Sequence, residues 1–274
     1  MQSWPAPAKL NLFLHVTGRR EDGYHLLQTA FQFLDYTDEL SFHVTNDGRI
    51  ARAQPLVDVS EDADLTLRAA HLLQEVAQVN SGVAIRVKKR IPAGGGLGGG
   101  SSDAATTLLA LNRLWDLRLE RSQLAQLGLQ LGADVPVFIG GRAAWAEGVG
   151  EQLTPLEPEE GWYLVAVPPV HVSTARVFGE LGLTAFRAPI TIRDFHAGRI
   201  HNDLEQVVRR HYPEVDEAFA WLARFGQPRM TGSGGCVYLR ITDAETGKRI
   251  LAQLPQGLGG LVARGVNRHP LLDL

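Results

Sequence analysis

Six glycines surround one leucine between residues 94 and 100, in the segment Ile91-Pro92-Ala93-Gly94-Gly95-Gly96-Leu97-Gly98-Gly99-Gly100-Ser101-Ser102. So dense a run suits neither a helix interior nor a strand, because each glycine loses more backbone freedom on folding than any other residue. It does permit a backbone at positive φ whose N–H groups can approach an anion closely. Upstream, Val83 to Val87 alternates as a strand; downstream, Asp103 to Trp115 is rich in Ala and Leu and predicts a helix. The start of that helix would aim unpaired N–H groups and the positive end of its dipole at the loop. Ser101 and Ser102 could cap the helix or offer hydroxyls to a phosphate or a metal ion. Together these features describe a cradle for a polyphosphate.

Other glycine loops fit less well. A Walker A loop ends in Gly-Lys-Ser/Thr, and no lysine follows these glycines. A dinucleotide fingerprint is formally present as Gly94-x-Gly96-x-x-Gly99, but it needs an acidic residue ending a strand roughly 20 residues on. Asp116 stands near that distance, yet it follows a predicted helix and Trp115. A purely structural loop would leave the two serines and the helix start without a purpose.

The remaining composition narrows the class. With 274 residues, 45% hydrophobic and 21% charged, the chain can fill one large core or two ordinary ones. A formal net charge of -3 argues against a nucleic-acid partner. Lys88-Lys89-Arg90 is a local basic spot, an anion contact or, more simply, a solvated strand end. The single cysteine, Cys236, leaves no internal disulfide or cysteine zinc site and reads as a small buried apolar residue. The nine histidines show no close metal-ligand pairing. No stretch approaches the ~18 to 20 apolar residues of a membrane span, and Lys9 interrupts any signal-peptide order. No membrane is expected as a partner, and a cytoplasmic location is.

Residues 8 to 16, 31 to 34, 39 to 44, 162 to 167, 237 to 241 and 260 to 266 also read as strands, with Asp35 to Asp38 as a turn. Helices are predicted near Asp64 to Val79, Ser122 to Leu131 (capped by Ser122 and ended by Gly132), Thr174 to Leu181, Glu214 to Phe225 and Ala244 to Leu254. Two prolines and three glutamates interrupt the pattern between Thr154 and Gly161, which places a boundary there. The expected class is α+β, with domains 1–155 and 156–274, each of two layers.

Pro92 to Ala105 resembles the phosphate loop of the GHMP kinases, the superfamily of galactokinase, homoserine kinase and mevalonate kinase. Ala8-Lys9-Leu10-Asn11-Leu12 is similar to the N-terminal motif of that family, and Thr231-Gly232-Ser233-Gly234-Gly235-Cys236-Val237-Tyr238 to its C-terminal glycine motif. Pro7 to Leu12 combined with Gly23-Tyr24-His25, Gly132-Ala133-Asp134-Val135-Pro136-Val137-Phe138 and Asn202-Asp203-Leu204-Glu205 resembles one branch. Its members phosphorylate the 2-hydroxyl of a cytidine diphosphate sugar alcohol on the non-mevalonate route to isoprenoid precursors.

The resemblance implies a two-domain fold, with an N-terminal ribosomal-protein-S5-like β/α domain and a C-terminal ferredoxin-like domain. It implies ATP bound by Pro92, Ala93, Gly94, Gly95, Gly96, Leu97, Gly98, Gly99, Gly100, Ser101 and Ser102. It places Lys9 and Asp134 side by side at the transferred phosphoryl group, Asp134 as base and Lys9 as its cation. The residues alone also allow Asp134 to cap a helix starting at Pro136. Tyr24 would stack on the cytosine with Phe178 as the second aromatic, His25 would bond the polar edge of the base, and Asn11 would help fix the diol or diphosphate. Gly232 to Gly235 would pack against the phosphate loop. Mg²⁺ is expected as the ATP counter-ion, with Ser101, Ser102 and Asp103 as candidates to orient it, and the chain as a monomer or weak homodimer. The alternatives are another GHMP kinase acting on homoserine, mevalonate or a sugar, a nucleotide-responsive regulator without catalysis, and a dinucleotide oxidoreductase.

Overall fold

A computed structural model describes residues 2–55, 59–181 and 186–273. Its spine is a long antiparallel hairpin, β1 (Trp4–Arg19) and β2 (His25–Thr45). One edge of β2 pairs with β1 from residue 25 to residue 40. The other edge is shared in turn: Thr29 to Phe31 with β5 (Ala144–Glu147), Phe33 and Leu34 with β10 (Gly259–Val266), and Glu39 to Thr45 with β4 (Gly82–Lys88). β3 (Ile50–Arg52) adds to β4 in parallel, and β6 (Gln152–Pro155) to β5. Beyond β10 the sheet continues through β7 (Trp162–Val167), β9 (Val237–Ile241) and β8 (Arg229–Met230), all antiparallel.

Helices cover this sheet in two groups. α1 (Leu65–Ala77), α2 (Gly99–Leu114), α3 (Arg121–Leu131) and α4 (Val135–Gly140) bury Leu73, Leu108, Leu124 and Phe138 with Phe31 and Phe33 of β2. The later part of the chain supplies α5 (Thr174–Gly179), α6 (Ile192–His196), α7 (Glu205–His211), α8 (Pro213–Leu222) and α9 (Ala244–Leu251). There Val208, Phe219 and Ile250 pack on Leu164 and Val237. A third cluster joins the groups, with Leu10, Phe13 and Leu34 meeting Val165, Tyr238 and Leu261. This is the α+β two-layer arrangement that the strand and helix patterns predict.

Residue 155 ends β6, so the expected boundary falls before β7. The C-terminal segment nevertheless crosses back to the first helices. The Asn267 carbonyl accepts from Ala143 N (2.9 Å), and the Arg121 guanidinium donates to the carbonyls of Leu271 and Leu272.

Three local expectations differ from the structure. Asp35 to Asp38 is no turn; β2 runs straight through it, because Thr37 and Asp38 pair with β1 and the two aspartates bond neighbouring chain. Asp35 accepts from Arg264 N (2.7 Å), and Asp38 is fully buried. α2 starts at Gly99 rather than Asp103, so Ser101 and Ser102 lie inside its first turn and cap nothing. α3 is capped at Glu120, whose N–H donates to Gln123 Oε1 (2.9 Å), two residues ahead of Ser122.

Candidate active site

β1 has a second edge that no strand covers, and the candidate site is built along it. Lys9 N donates to Leu97 O (2.9 Å), Asn11 N to Thr231 Oγ1 (2.9 Å), Leu14 N to His201 O (3.0 Å) and Val16 N to Asp203 Oδ2 (2.8 Å). Successive N–H groups on one strand edge are two residues apart, so positions 9 and 11 would not normally share an edge with 14 and 16. A register shift between Asn11 and Leu14 resets the parity and lets all four face outward. The phosphate loop, the glycine motif at 231–235 and the Asn202-Asp203 segment therefore dock on one strand.

Two glycines in this loop are dictated by space as well as by φ. Gly96 (φ +76) would place a Cβ 2.3 Å from Thr231 O, and Gly98 (φ +72) one 2.9 Å from Lys9 Cε. Gly95 O accepts from Cys236 N (3.0 Å), so the loop and the 231–235 motif meet backbone to backbone, as the sequence led us to expect. Cys236 is buried, and burial pushes its thiol up to about 12, which leaves it an inert apolar filler.

Lys9 and Asp134 approach across the site, Nζ to Oδ2 at 3.1 Å. Asp134 stands at the N-cap position of α4 but makes no side-chain capping bond; its carboxylate turns to Lys9 instead. The Lys9 ammonium also donates to Asn11 Oδ1 and lies over the Phe31 ring, 5.4 Å from its centroid. A buried ammonium needs such partners to offset the lost hydration. The Asn11 amide is completed by Nδ2 donating to Thr29 Oγ1 (2.9 Å), whose own hydroxyl donates to Phe13 O. Asn11 thus holds Lys9 while its edge faces the cavity.

Two cavities meet at this pair. One, about 610 Å³, is lined by Lys9, Asn11, Tyr24, His25, Asp134 and Phe178 among others. The other, about 1100 Å³, is lined by every residue from Pro92 to Ser101, together with Lys89 and Asp134. Asp134, Ser101 and Gly96 belong to both. Ser102 lines neither; it is fully buried, and its Oγ has no partner among the described residues. Leu97 faces the core and serves the loop through its carbonyl.

At the far end of the smaller cavity the His25 ring lies against Phe178, centroids 5.1 Å apart and planes inclined 32°, while Tyr24 is 66% exposed. Burial, aided by Arg19, lowers the His25 pKa, so the imidazole is neutral at pH 7.

Several site residues escaped the sequence. Lys89 is no solvated strand end; its ammonium is shared by Asp38 and Asp103 (2.7 Å to the latter) beside the glycine loop. The basic triplet at 88–90 was the one signal for it. Thr231, the first residue of the C-terminal glycine motif, is fully buried, accepts from Asn11 N and donates to Gly96 O (3.2 Å), a role for its hydroxyl that the motif did not reveal. Asp38 carried no signal. Among the described residues no cluster of three or more His, Cys, Asp or Glu side chains is arranged to hold a metal.

Comparison with known proteins agrees with this architecture. The family model described as GHMP kinases N terminal domain matches residues 64–142, and that described as GHMP kinases C terminal matches 191–259. A 4-diphosphocytidyl-2-C-methyl-D-erythritol kinase of Thiobacillus denitrificans is 55% identical over 99% of this chain and 98% of its own. One of Nitrosococcus oceani is 56% identical over 100% of this chain and 98% of its own. A crystal structure of a 4-(cytidine 5'-diphospho)-2C-methyl-D-erythritol kinase superposes with a TM-score of 0.84 at 34% identity, covering 96% of this chain and 99% of the other. The chain belongs to the GHMP kinases and, within them, to the 4-diphosphocytidyl-2-C-methyl-D-erythritol kinase family.

Proposed function

We propose that this protein transfers the γ-phosphoryl group of ATP to the 2-hydroxyl of 4-diphosphocytidyl-2-C-methyl-D-erythritol, a step towards isoprenoid precursors. The observation that carries the reading is the position of Asp134, which lines both cavities and pairs with Lys9 where they meet. The larger cavity takes the nucleotide, whose phosphates lie along the N–H groups of residues 94–100 and the start of α2. The smaller one takes the acceptor, its cytosine among Tyr24, His25 and Phe178 and its alcohol near Asp134. The hydroxyl oxygen bonds to the γ-phosphorus, the bond to the bridging oxygen breaks to release ADP, and the hydroxyl proton passes to the Asp134 carboxylate. Lys9 holds that carboxylate in place and balances charge on the phosphoryl oxygens.

Magnesium ions on nucleotides take most of their ligands from phosphate and water and need only one or two protein oxygens. Ser101, which lines both cavities, fits that demand, whereas the Asp103 and Asp134 carboxylates are engaged by Lys89 and Lys9. The ion, when bound, would neutralise charge on the phosphates.

Support for a division at 155/156 comes from two core clusters drawn mainly from either side of it, with Leu14 and Val16 crossing into the later one and Leu271 into the earlier. No described helix is long and apolar enough to cross a membrane, which fits the cytoplasmic monomer or weak homodimer that we propose. An ADP-release assay comparing the cytidine acceptor with homoserine, mevalonate and galactose tests the assignment. Turnover confined to the cytidine compound is expected; preference for another alcohol would overturn it.

A further inference from the structure

Asp38 is fully buried in β2, lines neither cavity, and the chemistry just described makes no use of it. Its surroundings are specific. The ladder between β2 and β4 ends at the pair Glu39↔Lys88, one residue short of Asp38. From there the Asp38 side chain takes the place of the missing strand partner. Oδ1 accepts from Arg90 N and from Ile91 N (2.8 Å to the latter), and Oδ2 accepts from the Lys89 ammonium. Three consecutive residues at the entry of the glycine loop are thus gathered by one carboxylate.

The same ammonium reaches Asp103 Oδ2 at 2.7 Å, just past the first turn of α2 at the exit of the loop. Asp38 therefore clamps both ends of the segment 92–98, the entry directly and the exit through Lys89. A carboxylate removed from water on this scale persists only if donors replace its hydration, and two N–H groups with an ammonium do so. Burial works against the Lys89 ammonium, but Asp103 and Asp38 outweigh it and raise its pKa, whereas burial pushes the Asp103 carboxyl up to about 7.

We propose that Asp38 is a positioning residue for nucleotide binding, holding the backbone at 90 and 91 and, through the Lys89 side chain, the start of α2, so that the loop is shaped before ATP arrives. A loop with so many glycines would otherwise sample many conformations and lose them on binding, at a cost in affinity. The acceptor cavity does not include Asp38, Lys89 or Arg90, so the effect is confined to the nucleotide side.

The proposal rests on the reading of the glycine loop as the ATP site, and the test separates the two. Binding of a non-hydrolysable ATP analogue, and the KM for ATP and for the cytidine acceptor, are measured for the wild type, Asp38→Asn and Asp38→Ala. Hydrogen exchange at the Arg90 and Ile91 amides is followed without nucleotide. For Asp38→Ala the ATP KM and analogue Kd should rise about tenfold or more, since two or more hydrogen bonds are lost. The acceptor KM should stay within about twofold, and exchange at residues 90 and 91 should accelerate. Asp38→Asn keeps a carbonyl acceptor and should fall between; it also decides the matter if the alanine variant does not fold. A lowered Tm with unchanged ATP affinity in the aspartate variants would overturn the positioning role alone. No analogue binding by the wild type would overturn the reading of the loop, and the positioning role with it.

Discussion

Lys9 reaches Asp134 from the middle of β1 across the mouth of the glycine loop, Nζ to Oδ2 at 3.1 Å, with the lysine buried and the carboxylate one-third exposed. That asymmetry suits a base: the cation is fixed, and the carboxylate keeps a face open to the cavities.

Asp134→Asn preserves shape but removes the proton acceptor. Turnover should fall by about 10²- to 10⁴-fold, with the KM for ATP and for acceptor changed only a few-fold. Steady-state kinetics with each substrate varied checks this; near-normal turnover would remove Asp134 from the mechanism.

Tyr24 is exposed beside the stacked pair of His25 and Phe178, free to close on a base. Tyr24→Ala should raise the acceptor KM about tenfold, the scale of one lost base-stacking contact, with the ATP KM unchanged. A loss confined to ATP would contradict the assignment of the two cavities.

Thr231 is the hydroxyl through which β1, the phosphate loop and the 231–235 motif are tied. Thr231→Val is nearly isosteric and leaves the buried Asn11 N–H without an acceptor. It should cost about 1–3 kcal/mol of stability, read from urea unfolding, and should lower turnover through the strand that carries Lys9.

A pH effect on stability follows from His269, which is buried edge-on to Phe33 and accepts from Leu271 N through Nδ1. Burial, with Arg121 nearby, pushes its pKa down from an ordinary 6.5 to about 3. The unfolded chain takes up a proton as pH falls through 6.5 and the folded chain does not. The stabilisation is thus complete above 6.5 and is lost progressively towards pH 3, at up to about 1.4 kcal/mol per pH unit. His15, lowered to about 4 chiefly by burial, acts in the same sense. Urea unfolding of His269→Gln between pH 6.5 and 4.5 should show a slope smaller by about one proton. An unchanged slope would contradict the neutral buried imidazole.

The loop and its flanking strand and helix were legible because glycine density, a period-two strand and an Ala-rich helix are local patterns. Lys9, Asp134 and the 231–235 motif were legible through family resemblance. Their meeting place depends on the outer edge of β1 and on a register shift that no local pattern reveals. Asp38 was hidden for a related reason. Asp35-Tyr36-Thr37-Asp38 has the composition of a turn, and tertiary partners make it strand: β1 across from Thr37 and Asp38, Arg264 N, and the N–H groups of Arg90 and Ile91. Lys89 was misread because a basic triplet after a strand ordinarily faces water, and the carboxylates that draw it in come from β2 and α2.

The central claim is tested most directly by one reaction followed by phosphorus NMR: purified protein, magnesium, ATP and 4-diphosphocytidyl-2-C-methyl-D-erythritol. A new phosphomonoester resonance should grow in step with ADP while the cytidine diphosphate signals persist, and Asp134→Asn should abolish it on the same timescale. ATP left intact beside unmodified acceptor, or ADP formed without a phosphomonoester, would contradict the account.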